Sequence, residues 1–599
     1  MPIITPDQTQ QSYDVIVVGS GAGGGQAAYT LTMEGVKVLM LEAGRNYEPA
    51  RETPMFQIPA QAPLRAEGTP GKPFGFYDAT IDGGWSVPGE PYTNASTEFG
   101  RRFHWWRTRM LGGRTNHWGR MAFRNGPYDF KPHSRDGLGF DWPIGYDDLA
   151  PYYDKVEMLI GVFGTNENLE NTPSSPDGVL LPPPKPRAGE LLIKQRARTL
   201  GIPVIPTHRA VLTQRLDSRT IPAKLHPNNP RAQRILAASM DQRAACFWAT
   251  PCGRGCSIRA NYQSTTVHIP PALETGNLDI LPNAMAREIT LDRNGRANGV
   301  TYIDKKTGRE NRVAGRAVIL AASACESVRV LLNSKSTHFP NGLANSSGVL
   351  GKYIMDTVGT SLGGQIPLLE NLPLHSEDGA GEHVYIPWWL YQEQKAGRLD
   401  FPRGYHVEFV TGRQLPSLRT FGGLEAFTGG SFGRGLKADA RRLFGSFVRF
   451  DGRGEMIPNE NSFCEIDPSL KDKWGIPVLR FHWKWSEHEN RQAAHMQRTF
   501  ADIVTAMGGK PDRIPEKDGA NAIEPGGQII HEVGGARMGA DPKTSVTNAW
   551  GQTWDVPNLV LADGAPFCSN ADKNPTLTIM ALAWRAAEHL LDETRKGNA

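Results

Sequence analysis

Residues 14–42, DVIVVGSGAGGGQAAYTLTMEGVKVLMLE, constrain the fold more than any other stretch of the chain. Four β-branched residues in a row, 15–18, predict a buried strand. The strand runs into Gly19, Gly21 and Gly24 at G-x-G-x-x-G spacing, and small helix-forming residues follow over 26–31. Each glycine has its own task in a dinucleotide-binding turn. Gly19 makes the tight bend, Gly21 admits a pyrophosphate to the backbone, and Gly24 lets the helix lie close on the strand. Helix N–H groups then meet the anion. A second apolar run, 36–41, ends in Glu42, placed to accept hydrogen bonds from the hydroxyls of an adenosine ribose. Strand, helix, second strand and acid stand in order, so the chain opens with a dinucleotide site.

The 599 residues suffice for two or three domains with a large core. A net charge of +4 with no block of like charges argues against nucleic acid as a partner. No uninterrupted apolar run is long enough to span a bilayer. The first strand begins too soon after Met1, behind too polar a leader, for a secretory signal peptide. The expectation is a chain with neither a transmembrane segment nor an export signal of its own.

Beyond Glu42 the segment 43–63, rich in Pro and polar residues, reads as a long surface connection. Aromatics then gather before a second glycine pair, Gly112 and Gly113, in RRFHWWRTRMLGGRTNHWGRM, where the backbone can approach a ligand or simply turn. Asp147 and Asp148 before Leu149, with Pro151 in the first turn, predict a helix start, and 168–186 is irregular. From 277 to 333 the order is strand, strand, hairpin at Asn294-Gly295, apolar strand AVILAAS, and helix CESVRVLLNS. Period-two alternation in GYHVEFVTG and PVLRFHWKWS predicts one antiparallel sheet, half-buried on one face, in a second domain. A helix over 487–507, ended by Gly508-Gly509, closes it. The stretch from Val556 returns as strand, small-residue turn and helix to the nucleotide domain. The fold class is therefore α/β: a Rossmann-like domain assembled from separated segments (1–130, 240–360 and 523–599) with an α+β substrate domain (131–239 and 361–522).

Six cysteines in so long a chain are too few for a disulfide framework, yet Cys246, Cys252 and Cys256 crowd together as C-x5-C-x3-C. Zinc would want a fourth ligand, such as the distant His268. Three thiolates suit an iron–sulfur cluster with one corner vacant, and unliganded thiols are the third possibility. Cys325, Cys464 and Cys568 are scattered and read as core thiols.

The fingerprint at Gly19, the RMLGG segment, AVILAASACESVRVLLNS, HEVGGARMGAD and NLVLADGA stand in an order that resembles the glucose–methanol–choline oxidoreductases over nearly the full length. The resemblance implies FAD, with Gly19, Gly21, Gly24 and Glu42 at its adenosine diphosphate, Gly112 and Gly113 near the pyrophosphate and flavin, and Asp563 and Gly564 near the ribityl chain. It also implies a catalytic pair, His531 and Asn574. The chemistry calls for such a pair: a hydride leaves carbon only as its hydroxyl gives up a proton, so a neutral imidazole serves as base while an amide fixes the oxygen. Thr357 stands where many relatives carry His, and Arg114 where a small hydroxyl residue is common.

The cysteine spacing is similar to that of a bacterial subgroup, the catalytic subunits of membrane-linked glucose, glucoside, gluconate and sorbitol dehydrogenases, which implies a [3Fe–4S] cluster on Cys246, Cys252 and Cys256. The same resemblance implies a small companion subunit, a cytochrome-type electron acceptor and a periplasmic location, with cytoplasmic residence as the alternative. The leading expectation is a dehydrogenase acting on a sugar or sugar-like alcohol. An oxygen-using oxidase with structural cysteines and a non-catalytic flavin electron-transfer subunit stay open. Trp105, Trp106, Trp388, Trp389, Trp483 and Trp485 could stack on a pyranose, or pack in the core.

Overall fold

A computed structural model describes residues 3–52, 82–248, 252–372, 382–412, 428 and 432–596. The nucleotide region begins with β1 (Tyr13–Val18), α1 (Ala22–Met33) and β2 (Val38–Glu42). It resumes with β3 (Leu278–Pro282), β4 (Ala284–Leu291), β5 (Ala297–Asp304), β6 (Glu310–Leu320) and α2 (Ala324–Asn333). Together with a short strand, Leu559–Leu561, they form one seven-stranded sheet. Its parallel part runs β3-β2-β1-β6, and Leu559–Leu561 pairs on the far side of β6.

β6 belongs to two environments. Its first half pairs antiparallel with β5 and alternates between exposed and buried residues, whereas Ala317–Leu320 pairs parallel with β1 and is buried on both faces. The change follows from the sequence, ENRVAGR giving way to AVIL. α1 is buried from Gly23 to Met33, wedged between the sheet and the C-terminal helix Thr576–Arg595. Its run of Gly and Ala permits that double contact.

The second region is built on β7 (Val358–Gln365), β8 (Tyr405–Thr411) and β9 (Phe447–Gly454), paired antiparallel in the order β8-β9-β7, with Lys510–Pro511 on the edge. The helix α3 (Glu487–Ala506) lies over β7 and β9. Ser486 caps it, accepting from the His488 N–H at 3.2 Å, while Glu489 accepts from the Ser486 N–H at 2.7 Å.

The structure corrects four sequence-based expectations. PVLRFHWKWS does not join GYHVEFVTG in one sheet: Pro477–His482 pairs with Phe463–Lys471 and, in parallel, with Thr93–Asn94. β8 is not half-buried, because its polar face is covered by Asp572 and Asn574, which contact His406 and Glu408, while the other enters the core. Pro151, expected in the first turn of its helix, lies in the second: the helix starts at Tyr146, with Asp148 as its third residue accepting from the Gly145 N–H at 2.8 Å. The second strand begins at Val38, two residues late, because Gly35 at φ +87° turns the chain. Of the expected surface connection, only 43–52 is described, and there Tyr47 and Pro49 are buried; 53–63 lies outside the described residues. Among the described residues no helix is long and apolar enough to cross a membrane.

Candidate active site

The glycines of the first turn divide their work as the spacing predicts. Gly19 leaves β1 at φ +100°, and a Cβ there would lie 2.3 Å from the carbonyl oxygen of Ala321 at the end of β6. A Cβ on Gly24 would lie 2.0 Å from the Gly19 carbonyl. At Gly21, by contrast, a Cβ would meet nothing within 4 Å, so its backbone faces open space. Gly113 borders the same space beside it: its Cβ would come 3.6 Å from the Gly21 Cα. Gly23, passed over in the sequence, is also required, since a Cβ there would lie 1.7 Å from the Ala562 carbonyl.

Along these backbones runs a cavity of about 330 Å³, lined from Ser20 and Glu42 past Gly113 and Ser323 to Asp563, His531 and Asn574. At one end Glu42 accepts from the Ser20 hydroxyl and, at 2.6 Å, from the Gly44 N–H; Ser20 Oγ in turn accepts from the Gly112 N–H at 2.8 Å. Burial raises the Glu42 carboxyl above its usual range. The Gly112-Gly113 loop is anchored by Arg109, which pairs with Glu90 at 2.6 Å and with Glu326 on α2 at 2.9 Å. Although burial opposes its charge, Arg109 holds Glu90 down to about 2. Buried ions of both signs are thus compensated inside one network.

Further along, Arg114 pairs with Glu532 at 2.7 Å and donates to Ser323 Oγ at 2.7 Å. Asp563 accepts from Ser327 Oγ at 2.5 Å and from the Ala565 N–H at 2.8 Å, and burial pushes it up to about 6. Gly564 lies beside it on the cavity wall.

His531 and Asn574, 43 residues apart, meet here: Asn574 Nδ2 is 3.3 Å from His531 Nε2. The His531 backbone N–H donates to Asp356 Oδ1 at 2.9 Å, and Nδ1 lies 3.1 Å from Thr357 Oγ1. Thr357, which stands where many relatives carry His, is therefore a direct neighbour of the His531 ring. Asn574 Nδ2 also donates to Glu408 on β8 at 3.1 Å, and Asn574 Oδ1 is buried without a hydrogen-bond partner. Burial, with Arg453 nearby, lowers the His531 pKa to about 3, so the imidazole is neutral near pH 7.

The three clustered cysteines lie apart from this pair, free of disulfides. Cys252 and Cys256 are buried and Cys246 is half-buried; 249–251 between them lie outside the described residues. The Trp248 N–H donates to Cys246 Sγ at 3.3 Å and the Ala260 N–H to Cys256 Sγ at 3.3 Å. Burial pushes the Cys246 thiol up to about 12, and Cys252 and Cys256 are close enough to add to the rise. Arg120, buried, donates to the Cys252 carbonyl at 2.7 Å. Among the described residues no three His, Cys, Asp or Glu side chains could hold a single metal ion. His268 packs on Tyr29 and Tyr262, with Nδ1 3.2 Å from the Tyr262 hydroxyl, and is not grouped with the three thiols.

Residues 13–375 match the N-terminal family model of the GMC oxidoreductases and 458–583 the C-terminal one. The chain belongs to this family. As a GMC oxidoreductase it is an FAD-dependent enzyme acting on CH–OH groups. It is similar to 2-methyl-1,2-propanediol dehydrogenase of Mycolicibacterium austroafricanum (29% identity over 98% of this chain and 95% of that protein). It is also similar to the fructose dehydrogenase large subunit of Gluconobacter japonicus (27% over 98% and 99%) and the gluconate 2-dehydrogenase flavoprotein of Pantoea cypripedii (25% over 99% and 96%).

The cavity of this GMC oxidoreductase fits FAD on its own geometry: the bare backbones of Gly21 and Gly113 line it side by side, the N-terminus of α1 opens onto it, and the buried carboxylates of Glu42 and Asp563 are on its wall. Of the tryptophans, Trp105 and Trp106 line the cavity, whereas Trp388, Trp483 and Trp485 are buried in the core and Trp389 packs against Trp388 and Tyr405.

Proposed function

We propose that this enzyme is a dehydrogenase that oxidises a hydroxyl of a sugar or a sugar-like alcohol, with His531 as base. The observation that carries the reading is the neutral His531 imidazole 3.3 Å from the Asn574 amide, on the wall of the cavity that the two glycine turns enclose. The named substrates of the similar enzymes, a propanediol, fructose and gluconate, support the substrate class.

Bound FAD supplies the acceptor for the hydride. The N–H groups at the start of α1 and the bare backbone of Gly21 and Gly113 receive its pyrophosphate, and Glu42 receives the adenosine ribose. With substrate bound, the Asn574 N–H that contacts Nε2 passes to the substrate oxygen, His531 Nε2 takes the hydroxyl proton with the lone pair so freed, and Thr357 Oγ1 accepts from Nδ1–H. Arg114, neutralised by Glu532, places its charge on the wall near Asp563.

Cys246, Cys252 and Cys256 would hold a [3Fe–4S] cluster, supplying one-electron chemistry toward a cytochrome-type acceptor. In such a cluster each thiolate binds its own iron, so the sulfurs need not converge on one point as they would around a single ion. In support, the three thiols lie near enough to raise one another's pKa, and two backbone N–H groups already point at sulfur, as cluster sulfurs require. A small companion subunit and a periplasmic site of action complete the proposal; the "large subunit" of the fructose dehydrogenase name is in keeping with a multi-subunit assembly.

The test is anaerobic mixing of the purified chain with glucose, glucosides, gluconate and polyols, followed by an artificial acceptor, with iron and sulfide analysis and fractionation of native cells. Flavin bleaching by a sugar or polyol, and iron and sulfide in the cluster's ratio, are expected. Oxygen consumption with peroxide release from an iron-free chain would establish an oxidase instead.

A further inference from the structure

The catalytic pair is attached to a third group from the other sheet. β8 is buried on both faces, and His406 and Glu408, two residues apart, share one of them. Arg453 stands opposite His406 on β9. Val407 and Phe409 face the other way, into the core. A carboxylate in such a place is costly unless it is paired on every side. Among the described residues Glu408 has three partners: Arg453 Nε at 3.5 Å, His406 Nε2 at 3.3 Å and Asn574 Nδ2 at 3.1 Å. Burial opposes its charge, but Arg453 and His406 keep it ionised, well below the usual carboxylate range.

We infer that Glu408 is a positioning residue of the reaction: it fixes which way the Asn574 amide faces and, through that amide, which nitrogen of His531 carries the free lone pair. An ionised carboxylate only accepts hydrogen bonds, so Asn574 must turn its NH₂ toward Glu408. The same NH₂ is 3.3 Å from His531 Nε2, which makes Nε2 an acceptor and leaves the imidazole proton on Nδ1, facing Thr357 Oγ1. Once the substrate oxygen takes over that N–H, Nε2 is the nitrogen able to take a proton on the cavity side. With the amide reversed, Asn574 Oδ1 would call for a proton on Nε2, and the lone pair would sit on Nδ1, turned away from the substrate. Loss of the correct imidazole tautomer disables a base without moving it. The unpaired Asn574 Oδ1 is the consequence of this orientation: the residue gives up one acceptor so that its two N–H groups serve Glu408 and His531.

The inference rests on the His531–Asn574 reading, and the experiment separates the two. E408Q, E408D, N574A and E408Q/N574A are compared with wild type as flavin-loaded enzyme, by anaerobic stopped-flow reduction with the best substrate of the panel above. E408Q offers Asn574 an amide in place of a carboxylate and permits the reversed orientation. Its flavin reduction is expected to fall by about a hundredfold or more at saturating substrate, with KM changed by less than about threefold, in line with general-base contributions. E408D keeps the charge but withdraws it by one methylene, and is expected to lie between, about tenfold below wild type. In the N574A background E408Q is expected to add almost nothing, because Glu408 acts through that amide. A wild-type rate in E408Q or E408D, equal losses in both, or full additivity with N574A would overturn the inference. If E408Q fails to hold flavin, E408D and its cycle with N574A decide alone by the same criteria. Should His531→Ala leave flavin reduction intact, the underlying reading fails; should it abolish reduction while E408Q does not, only the role of Glu408 fails.

Discussion

Substituting Gly21 by Val separates two things that glycine fingerprints usually confound, the fold and the ligand. At Gly21 φ is −69°, which any L residue adopts, and the added Cβ meets nothing within 4 Å. The flavin-free protein therefore suffers no clash and gains about 0.4–1 kcal/mol from a less flexible unfolded chain. The holoenzyme loses its ligand, because the side chain enters the open cavity that the Gly21 backbone lines. Flavin at about a thousandfold above its dissociation constant adds about 4 kcal/mol to the wild type, and the variant forfeits this. Gly24→Ala is the contrast: its Cβ falls 2.0 Å from the Gly19 carbonyl, so α1 must shift on β1 at a cost of about 1–3 kcal/mol with or without flavin. Thermal unfolding of flavin-stripped and flavin-loaded forms, with the flavin-to-protein absorbance ratio, reads both effects. A Gly21→Val protein that purified with full flavin, or a stripped form as unstable as Gly24→Ala, would refute the reasoning.

Three further outcomes are expected. His531→Ala lowers the rate of flavin reduction by about two to four powers of ten with flavin retained, and normal turnover would remove His531 from the chemistry. Thr357→Val costs about tenfold in the same assay, the worth of about one hydrogen bond to Nδ1; no change would show that Asn574 alone holds the tautomer. Burial depresses His117, His268 and His531 from 6.5 to about 3, so on acidification the unfolded chain takes up protons first. Their contribution to stability is present above about pH 6.5 and is lost as the pH falls toward 3, and a flat melting temperature across that window would contradict it.

The β1-α1-β2 unit, the hairpin and the apolar half of β6 were legible because local pattern and final environment agree: each is a contiguous segment whose burial repeats with the period of its own element. His531 and Asn574 were legible only through whole blocks of resemblance, since a lone His and a turn Asn before Pro575 carry no signal of their own. Glu408 and Arg453 were not legible, and Thr357 was legible only as a departure from the family's pattern. A Glu between His406 and apolar neighbours on a strand reads as the solvated face of a half-buried sheet, and only the fold discloses that this face is covered by a segment 166 residues away. Gly23 was passed over because its collision is with Ala562, at the other end of the chain.

That reach across the chain sets a schedule for biosynthesis. β1 takes its place between β2 and the far later β6, α1 touches Ala562 through Gly23, and the wall carrying Asp563 and Asn574 comes last of all. At ~5–20 residues per second, about half a minute or longer passes on the ribosome between the emergence of the glycine turn and of the strand that completes its sheet. During that interval the earliest segment has no finished receptor to offer a nucleotide. Flavin acquisition in this way waits for the strand at Leu559–Leu561 and the wall that follows it, and retention of the yellow chromophore certifies that translation ran past Asn574.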